Sequence, residues 1–305
     1  MIARSKYAHG KLLLTGEYLV LEGARALALP LNVGQYLSWK KTREKELVWN
    51  AMKPDGIWFQ AKYSLPELDL LNTTDESLSG KLHNILQKTK ELNAHFLDGT
   101  NGFEVQTILE FDPEYGFGSS STLISNIAGW AEVDPYALHA VTFGGSGYDI
   151  ACARKKKPLF YSLVNGKPVV EPADFDPEFR EKILFVYLGN KQNSNTSVSS
   201  FKKQGSFSGK DIQRINRIGQ EMERADSLLH FETLITEHEE IMSSVLRLPK
   251  VKDLYFKGYE GGVKSLGAWG GDFVLMTFHG ELNETANYLD ELGFDIYYPY
   301  CDLTC

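Results

Sequence analysis

The chain has 305 residues, of which 43% are hydrophobic and 24% charged, so it can hold two domains and is too apolar to be disordered. Its net charge of −8, from 40 acidic and 32 basic residues, argues against a nucleic-acid-binding surface but allows a local basic pocket. Three cysteines are too few for a disulfide-stapled scaffold, and no segment resembles a signal peptide or a membrane span. These features predict a cytoplasmic protein that binds neither nucleic acid nor membrane, and they leave a homodimer open.

The first third of the sequence predicts mainly β-strands. The run KLLLTGEYLVL, from Lys11, is apolar and rich in strand-forming residues, as is the stretch 26–39. The alternating runs ELVWNAM and GIWFQAKY flank a Pro-Asp-Gly turn at 54–56 and therefore predict a hairpin. Helical spacing follows at 78–92, and FEVQTIL, from Phe103, predicts another strand.

The second half of the sequence predicts an alternation of helices and strands. PLFYSLV and KPVVEP flank Asn165-Gly166, which predicts a second hairpin. The charged residues 174–181 mark a predicted boundary between two domains, 1–175 and 176–305. Beyond it we predict strands at ILFVYLG, DFVLMTF and FDIYYPY, and helices at 210–229, 231–246 and ELNETANYLDEL. Helix pairs between strands favour an α+β sandwich.

The segment PEYGFGSSST, residues 113–122, predicts a phosphate site. Its glycines allow a tight turn and a close approach to a ligand, and its serines fall where a helix begins. Backbone N–H groups and the helix dipole would point outward there and attract an anion such as phosphate. A serine-capped helix after a glycine turn is the alternative interpretation.

Two other glycine-rich segments contain candidate residues. FGGSGYDIA, residues 143–151, places Asp149 at the start of a predicted helix, where the helix dipole favours an ionised carboxylate. A capping Asp is the alternative there. KSLGAWGGDFVL, residues 264–275, indicates either a close ligand approach or a plain turn before a buried strand.

Two charged residues, Lys11 and Glu17, interrupt the apolar N-terminal run. A charge embedded in such a run needs a partner or a pocket. The alternative is an edge strand whose charged side chains face water.

The order of these segments resembles that of the GHMP kinase superfamily: GKLLLTGEY, then GFGSSS, then GSGYDIA and finally GAWGGDF. The similarity runs from about Gly10 to Val274, and GYDIA resembles the hallmark of a GHMP branch named after those letters. In motif detail the chain is most similar to phosphomevalonate and mevalonate kinases, because GEYLVLEG, YGFGSSS and GGDF each resemble a phosphomevalonate kinase motif.

The resemblance implies a two-domain α+β fold. An N-terminal α/β nucleotide-binding domain would contain a left-handed β-α-β unit, and a C-terminal domain would be a ferredoxin-like α+β sandwich. The implied activity is ATP-dependent phosphoryl transfer to a small molecule, with mevalonate or phosphomevalonate in isoprenoid synthesis as the expected acceptor. ATP and Mg²⁺ are the implied cofactors.

The resemblance also implies roles for individual residues. Asp149 matches the family's catalytic Asp, Lys11 the lysine near the transferred or substrate phosphate, and Ser120 the serine that helps to hold Mg²⁺. The loop residues expected to bind ATP are Gly116, Gly118, Ser119, Ser120 and Ser121. The residues expected to bind the acceptor are Glu17, Ser146, Gly147, Lys191, Gly270 and Gly271.

Some positions depart from the family pattern. Leu138 stands where mevalonate kinases have a metal-binding Glu, Trp269 replaces a small residue, and a basic run at 154–157 replaces small residues after Asp149. Two alternatives therefore stay open: a nucleotide-binding regulator that has lost catalysis, and a kinase of another small alcohol such as a sugar. A related ATP-dependent decarboxylase is disfavoured, because its GSGSACRS motif differs from GFGSSSTL.

Overall fold

The computed structural model describes residues 4–189, 198–199, 201, 203 and 206–304. The chain forms two compact units. The first consists of Met1–Gly10, Val33–Pro113 and Phe117–Arg154, and the second of Lys11–Asn32, Glu114–Gly116 and Lys155–Cys305. Each unit gathers separate stretches of the chain, and the predicted domain boundary after residue 175 stays a prediction.

The strands and helices of the described residues follow in chain order. The strands are β1 (Arg4–Leu13), β2 (Ala26–Thr42), β3 (Glu46–Lys53), β4 (Gly56–Ser64), β5 (Leu70–Thr73), β6 (Gly102–Leu109), β7 (Leu159–Val164), β8 (Lys167–Pro172), β9 (Ile183–Tyr187), β10 (Val263–Leu266), β11 (Phe273–Thr277) and β12 (Tyr297–Pro299). The helices are α1 (Glu76–Leu92), α2 (Ser119–Ala131), α3 (Pro135–Thr142), α4 (Tyr148–Ala153), α5 (Gly209–Glu223), α6 (Leu228–Leu246), α7 (Val251–Tyr255), α8 (Leu282–Glu291) and α9 (Tyr300–Leu303).

In the first unit, one face of a mixed sheet is covered by helices. The strand order is β5-β4-β3-β6-β2, with β3 and β6 parallel and the other neighbours antiparallel. Alternate residues of β3, among them Leu47 and Trp49, point into the core, as the two-residue period of a strand requires. Helix α1 presents Leu82 and Leu86 to the same core at helical spacing.

In the second unit, β9 to β12 form an antiparallel sheet of order β10-β11-β9-β12. This is the strand order of a ferredoxin-like sandwich, with α5 to α7 between β9 and β10 and α8 between β11 and β12. Residues 26–28 of β2 pair with β7, which pairs with β8. None of the described helices is long and apolar enough to cross a membrane.

Most of the predicted elements are confirmed. Both hairpins form, β3–β4 around the turn at 54–55 and β7–β8 around Asn165-Gly166. Helix α1 begins after Asp75, whose side chain accepts the Leu78 N–H at 2.9 Å. The large mixed sheet and the small antiparallel sheet confirm the predicted α+β class.

Three predicted boundaries are wrong. The strand predicted over KLLLTGEYLVL ends at Leu13, because Gly16 turns the chain at φ 83° where a Cβ would lie 2.8 Å from the Ala26 Cβ. The predicted break between the helices at 229–231 lies at 224–227, where the Ser227 side chain caps α6. The last strand is only three residues long, and Pro299 leads directly into α9.

Candidate functional site

Helix α2 begins at Ser119, at the predicted phosphate site. Gly118 stands before it in the left-handed conformation at φ 91°, and no described side chain caps the helix. The Ser121 hydroxyl donates instead to the Gly118 carbonyl at 2.8 Å. The first N–H groups of a helix have no partner within the helix, so those of Ser119 and Ser120 can receive an anion. The Ser120 side chain is also exposed.

The start of α2 is held firmly on β2. The Thr122 hydroxyl donates to Gln35 Oε1 at 3.0 Å, and the Asn126 amide donates to the Gln35 carbonyl at 2.8 Å. Ile124 and Ile127 are fully buried below it. Two buried hydrogen bonds and this apolar contact fix the position of the helix N-terminus.

Asp149 is the second residue of α4, which begins directly after Gly147; Gly147 has a φ of 83°. Its Oδ1 accepts the Ile150 N–H at 3.0 Å and lies 3.8 Å from His139 Nε2. The carboxylate is partly exposed, whereas His139 is buried. Ser146, half-buried, precedes it. His139 was not predicted, because a lone histidine on a helix carries no recognisable signal.

Leu138, at the place of the metal-binding Glu of mevalonate kinases, is fully buried in the core of the first unit. It offers no oxygen to a metal. Within the described part of the chain, no three His, Cys, Asp or Glu side chains cluster in a way that could hold a metal ion.

Lys11 lies at a narrow crevice of the second unit, lined also by Tyr115, Gly116, Gly267 and Asp272. Its ammonium donates to the Gly116 carbonyl at 2.8 Å. Gly116 has a φ of 68°, and a Cβ there would lie 2.1 Å from Asp272 Oδ2, so a larger residue would strain the backbone and require the Asp272 side chain to shift. Asp272 was not among the predicted site residues, although the GGDF motif contains it.

Glu17 is buried beside two basic side chains. Its Oε1 lies 2.5 Å from Lys264 Nζ and its Oε2 lies 3.1 Å from His238 Nε2. Burial by itself raises the pKa of the Glu17 carboxyl, but Lys264 and His238 outweigh burial and hold that pKa below its usual 4.5. The carboxylate is therefore held in the interior, and an acceptor could contact it only if this pairing opened.

Glu239 completes what we call the buried ionic cluster: Glu17, His238, Glu239 and Lys264. Its Oε1 lies 3.7 Å from both His238 Nδ1 and Lys264 Nζ. All four side chains are at most 3% exposed, so each carboxylate depends on the neighbouring bases. Sequence reasoning missed His238, Glu239 and Lys264 because they are distant from Glu17 along the chain.

We call the segment 264–272 the third glycine segment. Three of its backbone N–H groups already donate hydrogen bonds within the chain. The Trp269 N–H donates to Tyr18 Oη at 2.9 Å, the Gly270 N–H to Ser265 Oγ at 3.1 Å and the Gly271 N–H to the Ala268 carbonyl at 3.1 Å. A substrate contact through the N–H groups of the predicted residues Gly270 and Gly271 would therefore have to replace these bonds.

Comparison with known proteins gives structural matches only. No protein-family model matches the chain, and neither does any curated protein sequence. The mevalonate kinase of Methanococcus jannaschii is similar with a TM-score of 0.68 at 18% identity, covering 97% of this chain and 96% of that one. The phosphomevalonate kinase of Streptococcus pneumoniae, solved with phosphomevalonate and AMPPNP, has a TM-score of 0.68 at 16% identity, covering 98% and 99%. The chain has the GHMP kinase fold.

A sugar kinase shares this GHMP kinase fold. The galactokinase of Lactococcus lactis, solved with galactose, is similar with a TM-score of 0.67 at 14% identity over 97% of this chain and 92% of that one. The fold prediction is thereby confirmed, and the known ligands of these structures differ from one another.

Within the GHMP kinase fold, the predicted residues fall into two groups. The first unit contains Gly118, Ser119, Ser120, Ser121, Ser146, Gly147 and Asp149, and the second contains Lys11, Glu17, Gly116, Gly270 and Gly271. The predicted acceptor residue Lys191 lies outside the described residues.

Proposed function

We propose that this chain is an ATP-dependent kinase of a small molecule. The observation that carries the proposal is the uncapped start of α2 after Gly118, where backbone N–H groups and the helix dipole favour an anion. It occurs on a fold shared with a phosphomevalonate kinase solved with AMPPNP. Phosphoryl transfer needs mainly positioning and charge stabilisation, and these are what such a loop supplies.

In the first unit, the N–H groups of Ser119, Ser120 and Ser121 would hold the ATP phosphates. Asp149 would orient the acceptor or take its proton, because its carboxylate is partly exposed. The Ile150 N–H, 3.0 Å from Asp149 Oδ1, fixes the direction of that carboxylate. His139 at 3.8 Å lies where it would further orient Asp149.

The residues present fit a magnesium ion that is held largely by phosphate. Mg²⁺ prefers oxygen ligands, retains several waters and needs only one or two protein ligands. The exposed Ser120 hydroxyl is an oxygen of this kind at the predicted phosphate site. We therefore assign the metal to Ser120 and the nucleotide; when bound, the ion would neutralise charge on the phosphates.

In the second unit, Lys11 would stabilise negative charge on the transferred phosphoryl group. Its ammonium donates to the carbonyl of Gly116, the first residue of the GFGSSS loop. Lysine is a flexible point charge with three donors, so it can hold this carbonyl and still bind a phosphate oxygen.

The acceptor that we propose is mevalonate or phosphomevalonate, in isoprenoid synthesis and in the cytoplasm. The similarity in fold to a mevalonate kinase and a phosphomevalonate kinase supports this choice, as do the motif similarities. A hydroxyl acceptor would need Asp149 as base or orienter, whereas a phosphate acceptor is already largely ionised at pH 7. A sugar is the second candidate, because a galactokinase also has this fold.

A coupled ADP-release assay tests the proposal with mevalonate, phosphomevalonate and galactose as separate acceptors. We expect ADP release that depends on one acceptor, with the phosphorylated product identified by mass spectrometry. Raised thermal stability with ATP but no turnover with any acceptor would instead favour a nucleotide-binding regulator.

A further inference from the structure

Two consecutive residues of the N-terminal motif GEY reach the third glycine segment. Glu17 Oε1 lies 2.5 Å from Nζ of Lys264, at the start of the segment. Tyr18 Oη accepts the Trp269 backbone N–H at 2.9 Å, near the middle of the segment. The side chains of Glu17 and Tyr18, which are adjacent in sequence, therefore hold the third glycine segment at two points.

Tyr18 has a strained backbone in a packed environment. Its φ of 59° is rare for a residue with a Cβ, and such a conformation persists only where the surroundings enforce it. The residue is buried, and its ring lies 5.4 Å from the ring of Phe201. This arrangement aims the phenol oxygen at the Trp269 N–H.

The third glycine segment forms part of the wall of the Lys11 crevice. Gly267 and Asp272, both within the segment, line this crevice together with Lys11 and Gly116. Because Asp272 packs directly against Gly116, a shift of the segment would change the surroundings of the Lys11 ammonium.

We infer that Tyr18 is a positioning residue, whose phenol oxygen fixes the third glycine segment and thereby the shape of the Lys11 crevice. Its effect on turnover rests on the proposed kinase function, whereas its effect on the segment does not. Glu17 assists by fixing Lys264, but its removal also disturbs the buried ionic cluster, so Tyr18 is the cleaner position to test.

The test compares Tyr18→Phe with the wild-type chain by amide hydrogen exchange and by ADP release. Phenylalanine keeps the ring beside Phe201 and removes only the oxygen. We expect the amides of 267–271 to exchange about tenfold faster or more, the scale of one lost buried hydrogen bond. We also expect kcat to fall about tenfold with little change in the KM for ATP, and the melting temperature to stay within a few degrees.

Tyr63→Phe is the matched control. The Tyr63 hydroxyl donates to the Ser79 carbonyl at 2.9 Å in the first unit, and the residue is also buried. This variant should leave both kcat and the exchange of 267–271 unchanged. If Tyr18→Phe fails to fold, Ser265→Ala tests the link from the segment to the reaction, because it removes the acceptor of the Gly270 N–H. Faster exchange at 267–271 with wild-type kcat in that variant would overturn the inference.

Unchanged exchange at 267–271 in Tyr18→Phe overturns the inference, whether or not the chain is a kinase. Faster exchange with wild-type kcat also overturns it, because Tyr18 would then stabilise the segment without affecting the reaction. A wild-type chain that turns over no acceptor contradicts the proposed function, and the exchange experiment still decides whether Tyr18 fixes the segment.

Discussion

Glu17 Oε1 and the Lys264 ammonium lie 2.5 Å apart while both side chains are only 1% exposed. A buried pair of this kind gains little over an apolar pair of the same shape, because both charges lose their hydration. Breaking it from one side is costly, since the remaining charge stays buried. The pair joins the N-terminal motif to the third glycine segment, so it fixes their geometry more than it adds stability.

Lys264→Met should destabilise the chain strongly. The substitution keeps an apolar stem of similar length but leaves Glu17 and Glu239 without their ammonium partner. We expect a loss of about 3–5 kcal/mol in the free energy of unfolding, measured by urea denaturation. Lys40→Met is the control, because Lys40 pairs with Glu104 on the exposed surface. Its free energy of unfolding should fall by less than about 1 kcal/mol. Equally small losses in the two variants would contradict the expectation that Glu17 and Glu239 stay buried without a partner when Lys264 is removed.

Acid should remove the contribution of Glu17 to stability. Its pKa in the folded chain lies below the usual 4.5, so the unfolded state takes up the proton first as the pH falls. The contribution is complete above about pH 4.5 and is lost as the pH falls through the lower folded pKa. Melting temperatures from pH 7 down to pH 3 should therefore drop less steeply in Glu17→Gln than in the wild type below pH 4.5. Parallel curves would contradict the assignment.

Gly116→Ala should disturb the crevice beside Lys11. An alanine Cβ would lie 2.1 Å from Asp272 Oδ2, and φ at this position is 68°. Gly144→Ala is a close control, because Gly144 has a φ of 67° and nothing within 4 Å of an added Cβ. Both variants strain the backbone, but only Gly116→Ala also places a Cβ against Asp272. The free energy of unfolding, measured by thermal denaturation, should therefore fall by about 1–3 kcal/mol more in Gly116→Ala than in Gly144→Ala. A similar loss in both would mean that Asp272 moves aside freely.

The sequence predicts local features well, because their causes are local. Pro-Asp-Gly at 54–56 and Asn165-Gly166 determine the turns of their hairpins, and the start of α2 follows from the glycines before it and the serines of its first turn. The apolar run from Lys11 predicts a longer strand than the one that forms, which ends at Leu13. A strand and a buried turn can have the same composition, so the run alone does not distinguish them. Only Gly16 hints that the chain turns there.

Long-range contacts of the candidate site could not be predicted in this way. His238 and Lys264 meet Glu17 across more than two hundred residues of chain, and no local pattern reports such a contact. The glycines of the third glycine segment predict a turn before a buried strand, and β11 follows them at Phe273. Their sequence does not reveal that the Trp269 N–H donates to Tyr18 Oη.

Lys11→Met tests the charge at the crevice. Methionine keeps the length of the apolar stem and deletes the ammonium that donates to Gly116. We expect kcat/KM to fall by about 10² or more, the scale of one electrostatic contact to the transition state, with only a small change in melting temperature. Thermal melts with and without ATP, beside the ADP-release assay, measure both effects. Normal melting together with normal turnover would remove Lys11 from the site.

Transfer of the labelled γ-phosphoryl group from ATP to an acceptor, by the wild type and by Asp149→Asn, tests the kinase proposal most directly. Asparagine keeps the side-chain oxygen that accepts the Ile150 N–H, so the fold and the ATP-induced rise in melting temperature should be retained. We predict acceptor-dependent transfer by the wild type and a fall in kcat of about 10² or more in the variant. Wild-type kcat in Asp149→Asn, or a wild-type chain that binds ATP and transfers phosphate to no acceptor, would contradict the account.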